Sequence, residues 1–516
     1  MLVLLLMAVM GAWAETIDLA TVTTATTANN GDVLTGTLAN NVRISIDEGA
    51  TVTLNNVTIN GSNSSSYYWA GITCKGNATI ILTGVNFVKG FHQYYPGIHI
   101  PKDKTLTIQG SGSLTACSNG NCAGIGAGES EALACGNIVI EGGTIIATGG
   151  DNAAGIGGGF SSSCGDIFIR GGNITATGGE EGAGIGAGSS LASCGNISIT
   201  GGTVNATGGS NAAAIGGGDG SICGTITITD GVSSLTANKV YGAPNSIGAG
   251  LNGTCGTVTI GGINKGSISA SPYTYLALAD NEDNSSTLTL FNNITADVTL
   301  RNRKLYKDGE WNTLCLPFNV TISGSPLAGA TLKELVAGQS NLAADGKLTL
   351  TFTDASSIEA GKPYLIKWDK GSGDDIDSPF FNGVTITSVE PTPVLFANAL
   401  GSGDCSFVGQ YDPFEINSSN KNSIVMLSSG SRIGYSNNVP RTLRCMRAHF
   451  EIPTTTSAPA MTDYAIDFDG EASTAMKAID NGQWVIDHVY YDLAGRRVAQ
   501  PTKGLYIFNG KKVMIP

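Results

Sequence analysis

The sequence predicts an all-β protein whose larger part is a right-handed parallel β-helix. Three observations carry that prediction: a cysteine that recurs at near-constant spacing, a two-residue alternation after each cysteine, and glycine pairs wherever a short strand must end. Cys135, Cys164, Cys194, Cys223 and Cys255 lie 29, 30, 29 and 32 residues apart, and each opens a segment typified by CGNIVIEGGTIIATGGDNAAGIGGG. Such a period marks a stack of supersecondary units, none of which buries its apolar face alone.

The elements of one unit follow in order. The pairs Ile138/Ile140, Ile167/Ile169, Ile197/Ile199, Ile226/Ile228 and Val258/Ile260 alternate with Val139, Phe168, Ser198, Thr227 and Thr259, so the two sets point to opposite faces of a strand. A Gly-Gly corner leads to a second strand, in which Ile145, Ile174 or Val204 precedes Ala147, Ala176 or Ala206 by two residues. A second Gly-Gly leads to a third apolar point, Ile156, Ile185 or Ile215, within AGIGGG-like sequence. Three short strands with glycine corners and no helical periodicity make one coil of a β-helix. A propeller blade needs four strands over roughly 40 residues or more, and helical repeats need long glycine-poor segments. Neither fits.

The third-strand isoleucine recurs as Ile72, Ile98, Ile125, Ile156, Ile185, Ile215 and Ile247, so the solenoid begins before the clear repeats. Val42 to Ile59 reads as an irregular first coil or cap, as terminal repeats are expected to be. We place the β-helix at residues 20–290 and, after the glycine repeats stop, a β-sandwich at 298–465, where WNTLCLPFNVTI, KLTLTFTD and KPYLIKW read as short strands with turn signals. PTTTSAP, Pro453 to Pro459, reads as a linker or as a solvated loop within the sandwich, and residues 466–516 as a small separate β domain. The opening MLVLLLMAVMGAWA closes on Ala12-Trp13-Ala14, so residues 1–14 read as a secretory signal peptide; no other stretch has the length of a membrane span.

Composition narrows the function. With 516 residues, 72 of them glycine, 13% charged and 41% hydrophobic, the chain is a corner-rich β protein rather than a disordered one. A net charge of −13 argues against nucleic acid, whose phosphates demand a basic surface, and favours neutral ligands or divalent cations. The four histidines, His92, His99, His449 and His488, are scattered, and neither Cys-x-x-Cys nor His-x-x-x-His occurs, so no zinc, iron or histidine-dependent triad is expected. The Gly-x-Gly strings such as Gly124-Ile125-Gly126 recur in every coil with no helix after them and are corners, not phosphate loops. Arg170 stands one coil above Glu141, which predicts an exposed ion pair between coils. The cysteine row is expected to stack as thiols, with Cys117 and Cys122 free to bridge locally, and Thr148, Thr177 and Thr207 to form a hydroxyl row.

The tail VYYDLAGRRVAQPTKGLYIFNGKKVMIP, Val489 to Pro516, resembles the C-terminal sorting domain of proteins exported by the type IX secretion system of Bacteroidota. The matching residues are Tyr491, Asp492, Leu493, Gly495, Arg496, Arg497 and Val498, then Gly504 to Ile507 and Gly510 to Lys512; the chain ends on Met514-Ile515-Pro516 where the pattern has a basic residue. The WNTLCLPF segment and the AGIGGG coils resemble modules of uncharacterised surface proteins of the same bacteria, and the coils look like glycine-rich relatives of pectate-lyase-like and carbohydrate-binding β-helices. The resemblance implies a secreted protein of the extracellular space or outer-membrane surface that faces sugar and engages the type IX machinery through its tail.

Counting back from the isoleucine ladder locates a candidate carbohydrate site. Four residues before Ile72 and Ile98 stand Tyr68 and Tyr94, and three before stand Trp69 and Tyr95; the same count on later coils reaches Asn121, Asn152, Glu181 and Asn211. Sugar rings stack on aromatic faces while carboxamides and carboxylates hold hydroxyls. An exposed, coplanar group of these four aromatics in line with the polar stripe would fit a glycan lying along the helix. The expected function is therefore non-catalytic carbohydrate binding or adhesion toward a polysaccharide or host glycan, with no catalytic residue assigned, no nucleic-acid partner, no membrane span in the mature chain, and Ca²⁺ the one candidate cofactor. The rivals are a β-helix polysaccharide lyase or glycoside hydrolase, and a structural stalk or protein-binding adhesin.

Overall fold

A computed structural model describes residues 14–401, 403–428, 431–436, 438–453 and 460–468, with the backbone of short strands between 471 and 515. The expected signal peptide, apart from Ala14, and nearly all of the expected linker lie outside the described residues, as do His488, Asp492, Leu493, Gly495, Arg496 and Gly510. The chain divides into two compact units, Met1–Leu278 with Ala296–Arg301, and Ala279–Thr295 with Asn302–Pro516. These limits differ from the expected 20–290 and 298–465 because the solenoid starts at Thr16–Asp18 and the strand Thr295–Arg301 returns most of its length to the first unit.

The first unit is a parallel β-helix. Its third side is a nine-stranded parallel sheet in which Ile44, Ile72, Ile98, Ile125, Ile156, Ile185, Ile215 and Ile247 pair in succession, so the ladder read from the sequence extends one coil further toward the N-terminus. On the first side, Ile138, Ile167, Ile197, Ile226 and Val258 are in register, and on the second Leu114, Ile145, Ile174, Val204 and Leu235. All of these residues are buried, which gives the solenoid one continuous aliphatic core filled by stacked like residues.

Glycine is required where coils meet most closely. Gly126, Gly157, Gly186 and Gly216 follow the ladder isoleucines with φ between +132° and +139°, and a Cβ on any of them would stand 2.0 to 2.1 Å from the carbonyl oxygen of the equivalent glycine on the next coil. No residue with a side chain fits there. The spacing of the repeat is thus set by backbone contact as well as by core packing.

The C-terminal end of the stack is closed by reversal of the chain on each side. Ile263–Asn264 returns antiparallel on Val258–Ile260, Tyr273–Ala279 antiparallel on Val232–Asn238, and Ile268 bridges antiparallel to Ile247. Antiparallel strands cannot continue a parallel stack, so the edge that would otherwise invite another chain is covered.

The cysteines form the expected row. Cys194, Cys223 and Cys255 pair in a short parallel sheet, Cys164 bridges to Cys194, and the Cys164 and Cys194 sulfurs stand 3.8 Å apart as thiols. Hydrogen bonding to the thiol of the preceding coil, and then burial, hold Cys194 and Cys223 well above the ordinary thiol range. The local Cys117–Cys122 bridge is not formed. Cys117 lies on the outer row of its strand in register with Thr148, whereas Cys122 is fully buried and donates to the Gln93 carbonyl at 3.1 Å. Arg170 Nη1 pairs with Glu141 Oε1 at 2.6 Å, as expected, and Thr148, Thr177 and Thr207 stack in register.

The second unit is also β-rich. Strands Asn312–Cys315, Pro363–Lys367, Thr331–Leu335 and Lys347–Ala355 lead through Asn341–Leu342 to Val394–Asn398, Cys405–Gln410, Arg447–Glu451, Ile424–Ser428 and Arg432–Tyr435. Leu348, Leu350, Phe352 and Leu365 from the first group share one apolar cluster with Phe396, Phe407, Val425 and Phe450 from the second, so both groups pack on a common core, as the two faces of a sandwich would. One short helix, Ser285–Leu290, is the only α-helix among the described residues. Tyr490–Tyr491, Arg497–Val498, Gly504–Phe508 and Lys511–Ile515 make a small antiparallel sheet from the tail.

Candidate functional site

The polar stripe lies on one corner of the β-helix and is in register. The carbonyls of Tyr94, Asn121, Asn152, Glu181 and Asn211 each accept from the amide of the residue four after the isoleucine on the next coil, namely Glu129, Phe160, Ser189, Asp219 and Leu251, at 2.8 to 3.1 Å. The repeated bond fixes each side chain above the last, about 4.8 Å apart as parallel strands require. Two rows therefore run side by side along the helix, the predicted one and a second that the sequence reading did not single out. Counting forward from each isoleucine, as well as back, would have found it.

The side chains of the stripe are tied to one another. Asn152 Nδ2 donates to Asn121 Oδ1 at 2.9 Å, and Asn121 Nδ2 to Glu129 Oε2 at 3.3 Å. Further along, Asp219 accepts from Asn211 at 3.5 Å and from Asn252 at 3.1 Å. Asn121, Asn152, Glu181 and Asn211 are all half-buried, and none of the three asparagines has a left-handed φ, so the backbone does not dictate asparagine there. The stripe thus holds its amide and carboxylate groups in fixed orientation at the surface, and of the second row Glu129 and Asp219 join that network.

At the N-terminal end of the stripe the aromatics cluster, but not as a coplanar platform. Tyr68 is 55% exposed and Tyr94 39%, whereas Trp69 and Tyr95 are half-buried. The missing element is His92, 3% exposed, which stacks on Tyr68 at 4.2 Å between ring centroids and meets Tyr94 edge-on at 4.8 Å and Tyr95 at 6.2 Å. Its Nδ1 accepts from the Tyr94 amide at 3.1 Å, and burial lowers its pKa below the usual histidine value, with the Glu129 charge opposing. Trp69 packs instead on Tyr67 and Phe91, with the Arg43 guanidinium 6.0 Å from its ring centroid, and its indole N–H is shielded from solvent without an acceptor among the described residues.

At the other end stands Tyr241, 97% exposed, in a loop where a Cβ on Gly242 would lie 2.9 Å from Asn211 Oδ1. The loop breaks the glycine pattern, with Val240-Tyr241 where the three preceding coils carry Gly-Gly, which was the available signal. Exposed aromatics thus bracket the polar rows. Among the described residues no three carboxylate, histidine or cysteine side chains converge as metal ligands, and no helix is long and apolar enough to cross a membrane.

A family model described as beta helix repeat matches residues 106–129, 138–160, 169–189 and 197–219, the four segments that carry the clearest coils. No curated protein and no solved structure matches the chain. The matched segments lie within the parallel β-helix of the first unit, and that fold is consistent with carbohydrate-related or adhesive roles.

Proposed function

We propose that the protein is a secreted or cell-surface, non-catalytic carbohydrate-binding protein that holds a polysaccharide along the corner rows of its β-helix, and that its tail is a sorting signal for the type IX machinery. The observation that supports the reading is the in-register polar stripe of Asn121, Asn152, Glu181 and Asn211, with the carboxylates of Glu129 and Asp219 beside it in a second row that otherwise holds Phe160, buried Ser189 and Leu251, bracketed by exposed Tyr68 and Tyr94 at one end and Tyr241 at the other. From Tyr94 to the coil of Tyr241 is five coil steps, about 24 Å at ~4.8 Å each, long enough for an extended oligosaccharide rather than one ring. Tyrosine faces would take sugar C–H groups, and the oriented amides would take hydroxyls.

The test is a glycan array on the full chain, run with Ca²⁺ and with chelator, beside a Tyr68→Ala/Tyr94→Ala double variant. Two lost aromatic contacts of ~0.5–1.5 kcal/mol each predict binding weaker by roughly fivefold to 150-fold, read well below the variant's own thermal midpoint, which falls because both rings also pack on His92. Silence across the array in both conditions would overturn the reading and leave a structural or protein-binding stalk.

A further inference from the structure

The second unit carries a cluster of arginines that is independent of the β-helix surface. Arg303 is 3% exposed, and its guanidinium meets only neutral acceptors, Nη1 donating to the Lys304 carbonyl at 2.8 Å and Nη2 to the Thr313 carbonyl at 2.7 Å. Among the described residues its Nε–H has no hydrogen-bond partner and no carboxylate lies within ion-pairing distance of it. The buried acid of this region, Asp280, is 1% exposed and already held by both Arg447 and Arg444. Burial, and then the neighbouring Arg447 charge, bring the Arg303 guanidinium down to about 9, with the Asp280 charge opposing. A buried cation whose nearby carboxylate, Asp280, is already shared by two other arginines is an expensive arrangement for folding alone.

That cation lies behind a cleft of about 400 Å³ lined also by Arg447 and Arg441. Arg441 is exposed and makes no ion pair among the described residues. An aromatic wall faces the arginines. Tyr306 is 48% exposed, and Trp311 is fixed by stacking on Phe468 at 4.9 Å with the Lys367 ammonium 4.6 Å from its ring centroid. Asp308 and Glu310 also line the cleft, with Asp308 Oδ1 accepting from the Glu310 amide at 2.9 Å. Guanidinium groups recognise oxyanions, carboxylates recognise hydroxyls, and an exposed tyrosine takes a ring face. A simple inorganic anion would use only the first of these and would meet repulsion from the second.

We propose that this cleft binds an oxyanion-bearing saccharide, its carboxylate or sulfate against Arg441 and Arg447 over the buried charge of Arg303, its ring against Tyr306 and its hydroxyls toward Asp308 and Glu310. The site differs from the β-helix rows in sign, since it takes an anion where they offer neutral and acidic groups.

Isothermal titration of the full chain with glucuronate, glucose 6-sulfate, glucose and inorganic sulfate tests it. Binding of at least one charged sugar, tighter than glucose and inorganic sulfate, is expected, and the tighter of the two charged sugars identifies the oxyanion. Arg441→Gln, at an exposed position, should weaken that binding about tenfold to hundredfold by losing a charge-assisted hydrogen bond, and Tyr306→Ala should weaken it without changing the response to inorganic sulfate. Tyr68→Ala/Tyr94→Ala should leave it unchanged, which separates this site from the β-helix surface. Absence of binding by both charged sugars, or affinity unaltered in Arg441→Gln with an unchanged thermal midpoint, overturns the proposal.

Discussion

Replacing Gly186 and Gly248 separately by alanine tests whether backbone contact between coils sets the repeat. Both glycines follow a ladder isoleucine and have nearly the same φ, +137° and +133°, so alanine meets the same backbone strain at each, ~1–3 kcal/mol. Their surroundings differ. A Cβ at Gly186 would stand 2.0 Å from the Gly216 carbonyl oxygen, whereas at Gly248, where the stack ends, its nearest neighbour is the Ser267 hydroxyl at 3.0 Å. Relief at Gly248 needs a small movement of a side-chain oxygen. Relief at Gly186 needs two backbones to part by more than 1 Å, since ordinary contact begins near 3.4 Å.

The carbonyl that would be displaced also accepts the Ala187 amide at 2.9 Å. Overpacking adds ~1–3 kcal/mol and the loss of that buried bond another ~1–3 kcal/mol, so Gly186→Ala should be less stable than Gly248→Ala by about 2–6 kcal/mol. Urea unfolding of the two full-length variants followed by circular dichroism measures the difference. Hydrogen exchange of the segment around Ile185 and Ile215 shows whether it is local, as nearest-neighbour coupling in a solenoid requires. Equal destabilisation of the two variants would refute the steric argument and leave only φ strain.

Two further outcomes follow from buried titratable and thiol groups. His92 has its pKa lowered by burial, so the unfolded chain takes up a proton first as pH falls through 6.5; the stability its neutral ring contributes is full above 6.5 and declines below it, toward the lower folded value. Thermal midpoints of the wild type and His92→Gln across mildly acidic pH should show a shallower decline in the variant, with His99, lowered by burial in the same direction, accounting for part of what is left; identical slopes would remove His92 from the account. Among the thiols, Cys164 and Cys194 should resist a labelling reagent until the chain is denatured, and half-buried Cys117 and Cys255 should react first, while a reducing agent should not move the midpoint; a fall on reduction would reveal a disulfide in the row.

The β-helix was legible because its physics is periodic. Stacked coils put Ile138 over Ile167 over Ile197, and like residues pack on like with no other partner to satisfy, so the ladder appears in the sequence as a spacing. The closure of the stack was not legible, since Ile263–Asn264, Ile268 and Tyr273–Ala279 reverse direction and owe their placement to whichever edge is open. The return of Thr295–Arg301 was not legible for a related reason: it leaves the solenoid in sequence and comes back to it in space.

The site divides along the same line. Asn121, Asn152, Glu181 and Asn211 were found by counting because they repeat, and Glu129 and Asp219 were available to the same count. Tyr68 and Tyr94 were placed by it too, but the geometry between them is set by His92, which has no equivalent on later coils and whose ring separates the two tyrosines instead of letting them lie flat together. Tyr241 likewise stands where the repeat fails. A periodic scaffold offers the same surface at every step, so selectivity for a ligand's end or length has to come from residues that break the period. The aromatic groups at both ends of the stripe are such residues, and that is where a glycan's register along the helix would be decided.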